Sequence, residues 1–259
     1  MDLHHLLARI VRRIGGDRRR PAGAASAEVR TLLIDPFAED AGGEAHPAAA
    51  SARRIAASCR RMQDVRTKGD LLQLLAREVE ECSLRDLELM YAGFEAKVEG
   101  LPDEYRTRLL EAVRQQIFSA HHRLLVLSRS GAATAMSDPP APALPAYCRM
   151  VAEACSAKAK EKDPKFLYLK YLLAGFTIFV LEEPAHPVGT PFPGGQIVDE
   201  WEGTYLCPVR EMADDVSFAL CPYCPAVQST EPTYPEMRAR REERRRRECL
   251  ANYWTNYKG

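Results

Sequence analysis

The sequence predicts a mainly α-helical bundle that ends, towards its C-terminus, in a small irregular or β-hairpin cysteine knuckle. Three observations carry this prediction. Between residues 51 and 182 the apolar side chains recur at helical spacing. Helix-start signals separate these stretches, at Ser83-Leu-Arg-Asp and again at Pro102-Asp-Glu. Beyond Glu183 prolines and glycines become too frequent for helix, and three cysteines each followed by proline gather there: Cys207, Cys221 and Cys224.

Composition sets the outer limits. A chain of 259 residues, 46% of them hydrophobic, can build one large domain or two small ones with a real core. Thirty-six basic residues balance thirty-six acidic ones, so net charge singles out neither a nucleic acid nor a membrane as partner. The start Met1-Asp-Leu-His-His has no uninterrupted apolar run before Gly15, so it does not read as a secretory signal. The most apolar stretch, residues 166–181, contains Lys170 and falls short of the roughly 20 residues that span a bilayer, which makes it a core helix. The expected location is therefore the cytoplasm, where clustered cysteines serve as metal ligands or redox groups more often than as disulfides.

Taken in order, residues 3–14 form a short amphipathic helix, and alanine, glycine and proline then dominate to Ala50. Residues 1–50 are thus a low-complexity, poorly ordered extension, with one apolar patch at residues 31–37. Residues 51–130 form an N-terminal helical section. A helix begins near Asp70 and presents Leu71, Leu72, Leu74 and Leu75 on one face. The second runs from Leu84 to about Val98 under the Ser83 capping box, and the third from Asp103 to about Ser130. Four prolines between residues 131 and 145 mark a linker or surface loop.

Residues 146–230 hold two more helices, 147–160 and 164–182, the second at the centre of the fold, followed by the cysteine segment. The loop of residues 186–195 is too rich in proline and glycine for helix. Residues 196–199 and 204–207 flank Glu202-Gly203 as a short β-hairpin that runs into Cys207. Residues 231–259 read as a charged, arginine-rich helix with an aromatic tail of Tyr253, Trp254 and Tyr257.

The chemistry concentrates at the cysteines. Cys221 and Cys224 form a Cys-x-x-Cys pair, the spacing at which two thiolates close on one ion, and thirteen residues separate Cys207 from Cys221. Zinc in structural sites takes four ligands. His186, just upstream in an irregular loop, is the first choice for the fourth, with Cys148, Cys155 and Cys249 as rivals. Cys148 and Cys155 are two helical turns apart, a rise of about 10.5 Å, so at most one of them can join. An iron–sulfur cluster is the alternative occupant. Dithiol–disulfide chemistry at Cys221-Pro-Tyr-Cys224 is a further reading, although the βαβ setting of thioredoxin-like pairs is absent. Three ordinary buried thiols are the plain reading.

Two other segments offer binding chemistry. Thr190, Gly194 and Gly195 can present a hydroxyl and backbone N–H groups to a polar or anionic ligand; the plain alternative is a rigid crossover. Arg241, Arg244 and Arg245, with the aromatic tail, would suit RNA or single-stranded DNA, but Glu242, Glu243 and Glu248 interrupt that face. Adjacent His121-His122 point about 100° apart on a helix and are a surface or partly buried pair. Glu182-Glu183 and Asp214-Asp215 read as solvated acids, and nothing commits the chain to hydrolysis.

Several stretches also resemble a known family. His186-Pro-Val-Gly-Thr-Pro-Phe-Pro-Gly-Gly, Tyr205-Leu-Cys-Pro-Val-Arg, Ala219-Leu-Cys-Pro-Tyr-Cys and Leu101-Pro-Asp-Glu-Tyr-Arg are similar to the archaeal domain-of-unknown-function family 2115, also called uncharacterised protein family 0305. The resemblance covers roughly residues 70–230, and the N-terminal extension and arginine-rich C-terminus depart from it. It implies an anaerobic, methanogen-type host and no particular reaction. The function expected is that of a metal-binding protein, with structural zinc at Cys207, Cys221, Cys224 and His186. The alternatives are a metalloenzyme with an open ligand position, and a nucleic-acid-binding accessory protein.

Overall fold

The computed structural model describes residues 47–192, 195–213, 216–229 and 246. The predicted helix over residues 3–14, the patch at 31–37 and the arginine-rich helix lie outside the described residues. Within them the protein is mainly helical, with a small sheet near the C-terminal end.

Helix α1 (Pro47–Gln63) turns Ala48, Ala52, Ile55, Ser58, Cys59 and Met62 inward, the three- and four-residue spacing of one helical face. Helix α2 (Lys68–Glu80) starts where the Thr67 hydroxyl accepts from the Asp70 N–H at 3.0 Å, and it buries Leu71, Leu72, Leu75, Ala76 and Val79. Helix α3 (Leu84–Lys97) carries the expected capping box: Ser83 Oγ accepts from the Asp86 N–H, and the Asp86 carboxylate accepts from the Ser83 N–H. Helix α4 (Asp103–Arg129) opens after Pro102 with two acids in its first turn.

Helices α5 (Leu144–Lys158) and α6 (Lys165–Phe179) complete the bundle. Ten residues of α6 are buried, and they lie all round its circumference, so α6 is the central helix that its composition predicts. Helix α1 packs most extensively along α5, while α2 and α6 both pack on α4.

The proline-rich segment between α4 and α5 docks on the start of α2. Residues Ala132–Ala135 form a 3₁₀ turn. The carbonyls of Met136 and Asp138 then accept from Gly69 and Lys68 at 3.0 and 2.8 Å. Two backbone donors of the first turn of α2 thereby find partners. The approach is so close that a Cβ on Gly69 would fall 2.0 Å from the Ala133 oxygen, which leaves room for glycine alone.

Strands β1 (Asp199–Trp201) and β2 (Thr204–Cys207) form an antiparallel hairpin across the expected Glu202-Gly203 turn, with Trp201 opposite Thr204. The first strand starts at Asp199, where the sequence pattern has it end, because a two-residue turn pairs the residues directly flanking it. Both turn residues are left-handed, Glu202 at φ 49° and Gly203 at φ 79°, the backbone that matches the twist of a two-residue hairpin. A third strand, β3 (Val227–Gln228), adds parallel to β2. Sequence pattern does not reveal it, because two residues show no period.

Two apolar clusters result. The larger joins α1, α2, α5 and α6 through residues such as Ile55, Leu72, Tyr147, Leu169 and Phe176. The smaller packs Phe192, Val198, Cys207, Val209, Val216 and Cys221 against Val98, Leu109 and Val113 from the α3–α4 region. Cys224 touches both clusters.

Candidate metal centre

Cys207 is the last residue of β2, and Pro208 turns the chain sharply after it. The backbone N–H groups of Val209 and Arg210 lie close enough to the Cys207 sulfur to favour its thiolate. Gln228 on β3 holds this turn from outside. Its side chain donates to the Pro208 carbonyl at 3.0 Å and accepts from the Glu211 N–H at 2.9 Å. Next to it, the Ser229 N–H donates to the Cys207 carbonyl at 2.9 Å.

Cys221 and Cys224 bracket a 3₁₀ turn closed by the Cys224 N–H donating to the Cys221 carbonyl at 3.1 Å. The turn is tied to the helical core. Tyr223 donates to the Ala146 carbonyl at 3.3 Å and stacks edge-on against Tyr147, with ring centroids 5.2 Å apart. Tyr171 of α6 donates to the carbonyl of Phe218, whose φ of 60° is left-handed and strained for a bulky residue. The Ala185 N–H donates to the Cys224 sulfur at 3.4 Å, while Gln116 of α4 donates to the Ala185 carbonyl.

Electrostatics decide the state of the thiols. Burial pushes the Cys221 thiol up to about 12, and its neighbours Cys207 and Cys224 add to the rise. Burial likewise raises Cys207, and in both cases Arg210 opposes the shift. Left to themselves the Cys207 and Cys221 thiols stay protonated. His186 follows Ala185 in the chain and packs edge-on against Phe192 at 5.8 Å. Burial, helped by the Lys170 charge, holds its pKa down to about 4, so the imidazole is neutral and has a lone pair to offer.

Cys207 and Cys224 are thus the thiols near enough to Cys221 to affect its ionisation. Among the described residues, however, no group of three or more His, Cys, Asp or Glu side chains is arranged to hold a metal ion as it stands. The closed cysteine knuckle expected from spacing is not formed: Cys207 ends β2, whereas Cys221 and Cys224 flank a separate 3₁₀ turn. Burial in a low dielectric favours S–H over S⁻ at Cys207 and Cys221.

Residues 67–229 match the family described as an uncharacterised protein conserved in archaea, DUF2115. The chain belongs to that family. It is 32% identical to a UPF0305 protein of Methanopyrus kandleri over 133 residues, covering 50% of this chain and 88% of that relative. It is also 44% identical to a UPF0305 protein of Methanothermobacter thermautotrophicus over 64 residues, 23% of this chain and 41% of that protein. No solved structure matches. The DUF2115 span takes in Cys207, Cys221, Cys224 and His186 and leaves α1 outside.

The other predicted site residues distribute as follows. Thr190 is buried and donates its hydroxyl to the Pro187 carbonyl at 2.7 Å, a bond that shapes its own loop. Gly195 is left-handed at φ 78° and opens to space, while Gly194 lies outside the described residues. Arg241, Arg244 and Arg245 also lie outside them, as does Cys249. Cys148 and Cys155 sit in the larger helical cluster beside Cys59. Glu182 and Glu183 are taken up by ion pairs, with Lys68 at 2.9 Å and Arg123 at 2.7 Å.

Sequence reasoning missed Arg210, Gln228 and the Ala185 N–H. For Arg210 there was a signal, since a turn after Cys-Pro brings the third following residue back towards the sulfur. Nothing marked Gln228 or Ala185, whose roles depend on tertiary contacts.

Proposed function

We propose that Cys207, Cys221 and Cys224 bind a single zinc ion, with His186 as fourth ligand, and that the ion fastens the sheet segment to the helical core. The carrying observation is that Ala185, the residue before His186, donates its backbone N–H to the Cys224 sulfur at 3.4 Å, beside the buried Cys207 and Cys221. Donors pointed at sulfur stabilise a thiolate and do little for a neutral thiol. Zinc supplies what burial denies: thiolates bound to a dication are no longer isolated charges in a low dielectric. Binding then requires the thiols to lose their protons and the side chains to move into coordination, since among the described residues no such group is already placed to hold an ion.

Zinc is favoured over the other occupants for stated reasons. The local set has three cysteines, one short of the four that commonly hold an iron–sulfur cluster. A redox dithiol needs an acidified, accessible sulfur, whereas the Cys221 thiol is buried and pushed up to about 12. The reading is structural rather than catalytic, because four protein ligands leave no position for an activated water.

The test is the metal content and absorption spectrum of the anaerobically purified full chain and of Cys221→Ala. About one zinc per chain without visible absorption, lost in the variant, is the expected result. Iron with thiolate-to-iron absorption would replace zinc by a cluster, and no bound metal in either protein would overturn the reading.

A further inference from the structure

A cavity of about 80 Å³ opens where α1, the end of α2 and the start of α6 meet, and none of Cys207, Cys221 and Cys224 lines it. Its floor is made by Glu78 and Tyr168, both buried. The Glu78 carboxylate already accepts from Ser58, Tyr168, Arg61 and Arg54, so its acceptor sites are filled. The more exposed lining groups have capacity to spare. Arg54 reaches Glu78 and Glu81 through Nη1 alone, which leaves its Nε and Nη2 without a hydrogen bond among the described residues. Lys165 gives one of its ammonium protons to Asp86 at 2.7 Å and keeps the others. The acids are equally unfilled. Glu81 accepts at one oxygen, from Arg54 at 2.6 Å, and Asp163 at one, from the Lys165 backbone N–H at 2.9 Å. Ile55 and Cys82 add an apolar wall.

Size and charge together define the ligand. A water-sized group takes about 10–15 Å³ of such a cavity, so there is room for roughly five to eight of them. A simple anion would satisfy the two cations and leave the two acids as they are, and a simple cation would do the reverse. A ligand carrying both charges serves all four groups and brings no net charge into the partly desolvated site. We infer that the cavity binds a small zwitterion of the α-amino-acid class, no larger than serine. Arg54 and Lys165 take its carboxylate, Arg54 through the bidentate edge formed by Nε and Nη2. Glu81 and Asp163 take its ammonium group, and the substituent on its α-carbon lies against Ile55 and Cys82. Glu78 does not touch the ligand; it holds Arg54 and Tyr168 in place. The inference is independent of the zinc reading.

The test titrates the ¹⁵N-labelled full chain, as purified, with L-alanine and follows its amide resonances. Propionate lacks the ammonium group, ethylamine lacks the carboxylate, and L-leucine exceeds the cavity; each is titrated in the same way. L-Alanine should give saturable shifts at the amides of Arg54, Glu81, Cys82, Asp163 and Lys165. Propionate and ethylamine should each bind roughly tenfold or more weakly, since each gives up one set of charge-assisted hydrogen bonds, and L-leucine should bind no better than they do. Two variants test the walls, with circular dichroism showing that both are folded. Asp163→Asn, at an exposed position, removes one acid, and Arg54→Lys keeps a cation for Glu78 and Glu81 but loses the bidentate edge. Both should weaken L-alanine by roughly tenfold. Propionate or ethylamine binding as tightly as L-alanine would overturn the zwitterion, and L-leucine doing so would overturn the size limit. No saturation by on the order of 10 mM L-alanine, or shifts unaffected by both variants, would overturn the site and leave a cavity filled by water alone.

Discussion

Glu78 shows what a single buried charge requires. Its carboxylate, on α2, accepts from Ser58 at 2.5 Å, Tyr168 at 3.1 Å, Arg61 at 3.2 Å and Arg54 at 3.4 Å, tying α1, α2 and α6 together. Replacing it with alanine leaves the Ser58 and Tyr168 hydroxyls without their acceptor. Glu78→Ala should therefore lower unfolding free energy by about 2–3 kcal/mol in urea denaturation, and Glu78→Gln by less. His121 is the opposite case, a buried imidazole whose Nε2 has no partner. Burial, with help from His122 and Arg129, holds its pKa below the ordinary 6.5. Below about pH 6.5 the unfolded chain therefore takes up a proton that the folded chain refuses, and stability falls as pH drops. Melting temperatures measured from pH 7 to pH 5 should decline less steeply in His121→Leu than in wild type; equal slopes would remove His121 from the acid response. The adjacent-histidine pattern told the sequence reader that the two could not share an ion, but not that one would be buried and the other exposed.

At the level of elements, local signals did most of the work. The α3 capping box, the start of α4 after Pro102 and the hairpin at Glu202-Gly203 are each written within four or five residues, and each formed as expected. What escaped were elements defined by distant partners: strand β3, which exists because β2 offers it an edge, and the docking of the 131–138 segment on α2. Two glycines separate local from tertiary causes. Gly69→Ala forces a methyl group against the Ala133 carbonyl and should destabilise by about 1–3 kcal/mol, as overpacking does. Gly93→Ala, in the exposed middle of α3 with nothing within 4 Å of the added carbon, should instead stabilise by about 0.5–1 kcal/mol. Thermal unfolding of the two variants checks both signs.

For the whole molecule, the point of interest is how two apolar clusters are held together. Among the described residues no helix is long and apolar enough to cross a membrane. The joint is built from Tyr223 on Ala146 and Tyr147, Tyr171 on Phe218, and Cys224 against Ala185. Cysteine spacing marked Cys221 and Cys224 as a pair, and a 3₁₀ turn does join them. The raised pKa values of Cys207 and Cys221 were not legible, because they depend on burial that spacing does not encode. If zinc closes the joint, an ion present at a thousand times its dissociation constant adds about 4 kcal/mol to stability. Chelation should then lower the melting temperature of wild type and leave Cys221→Ala unchanged.

The most direct measurement of the central claim is a cobalt titration of the metal-stripped full chain under anaerobic conditions. The account predicts saturation at one ion per chain, with the visible bands of a tetrahedral ion and thiolate-to-cobalt absorption that weakens when any one of Cys207, Cys221 or Cys224 is replaced by serine. A titration that gives only the pale spectrum of hydrated cobalt, or one unaffected by those replacements, would contradict it.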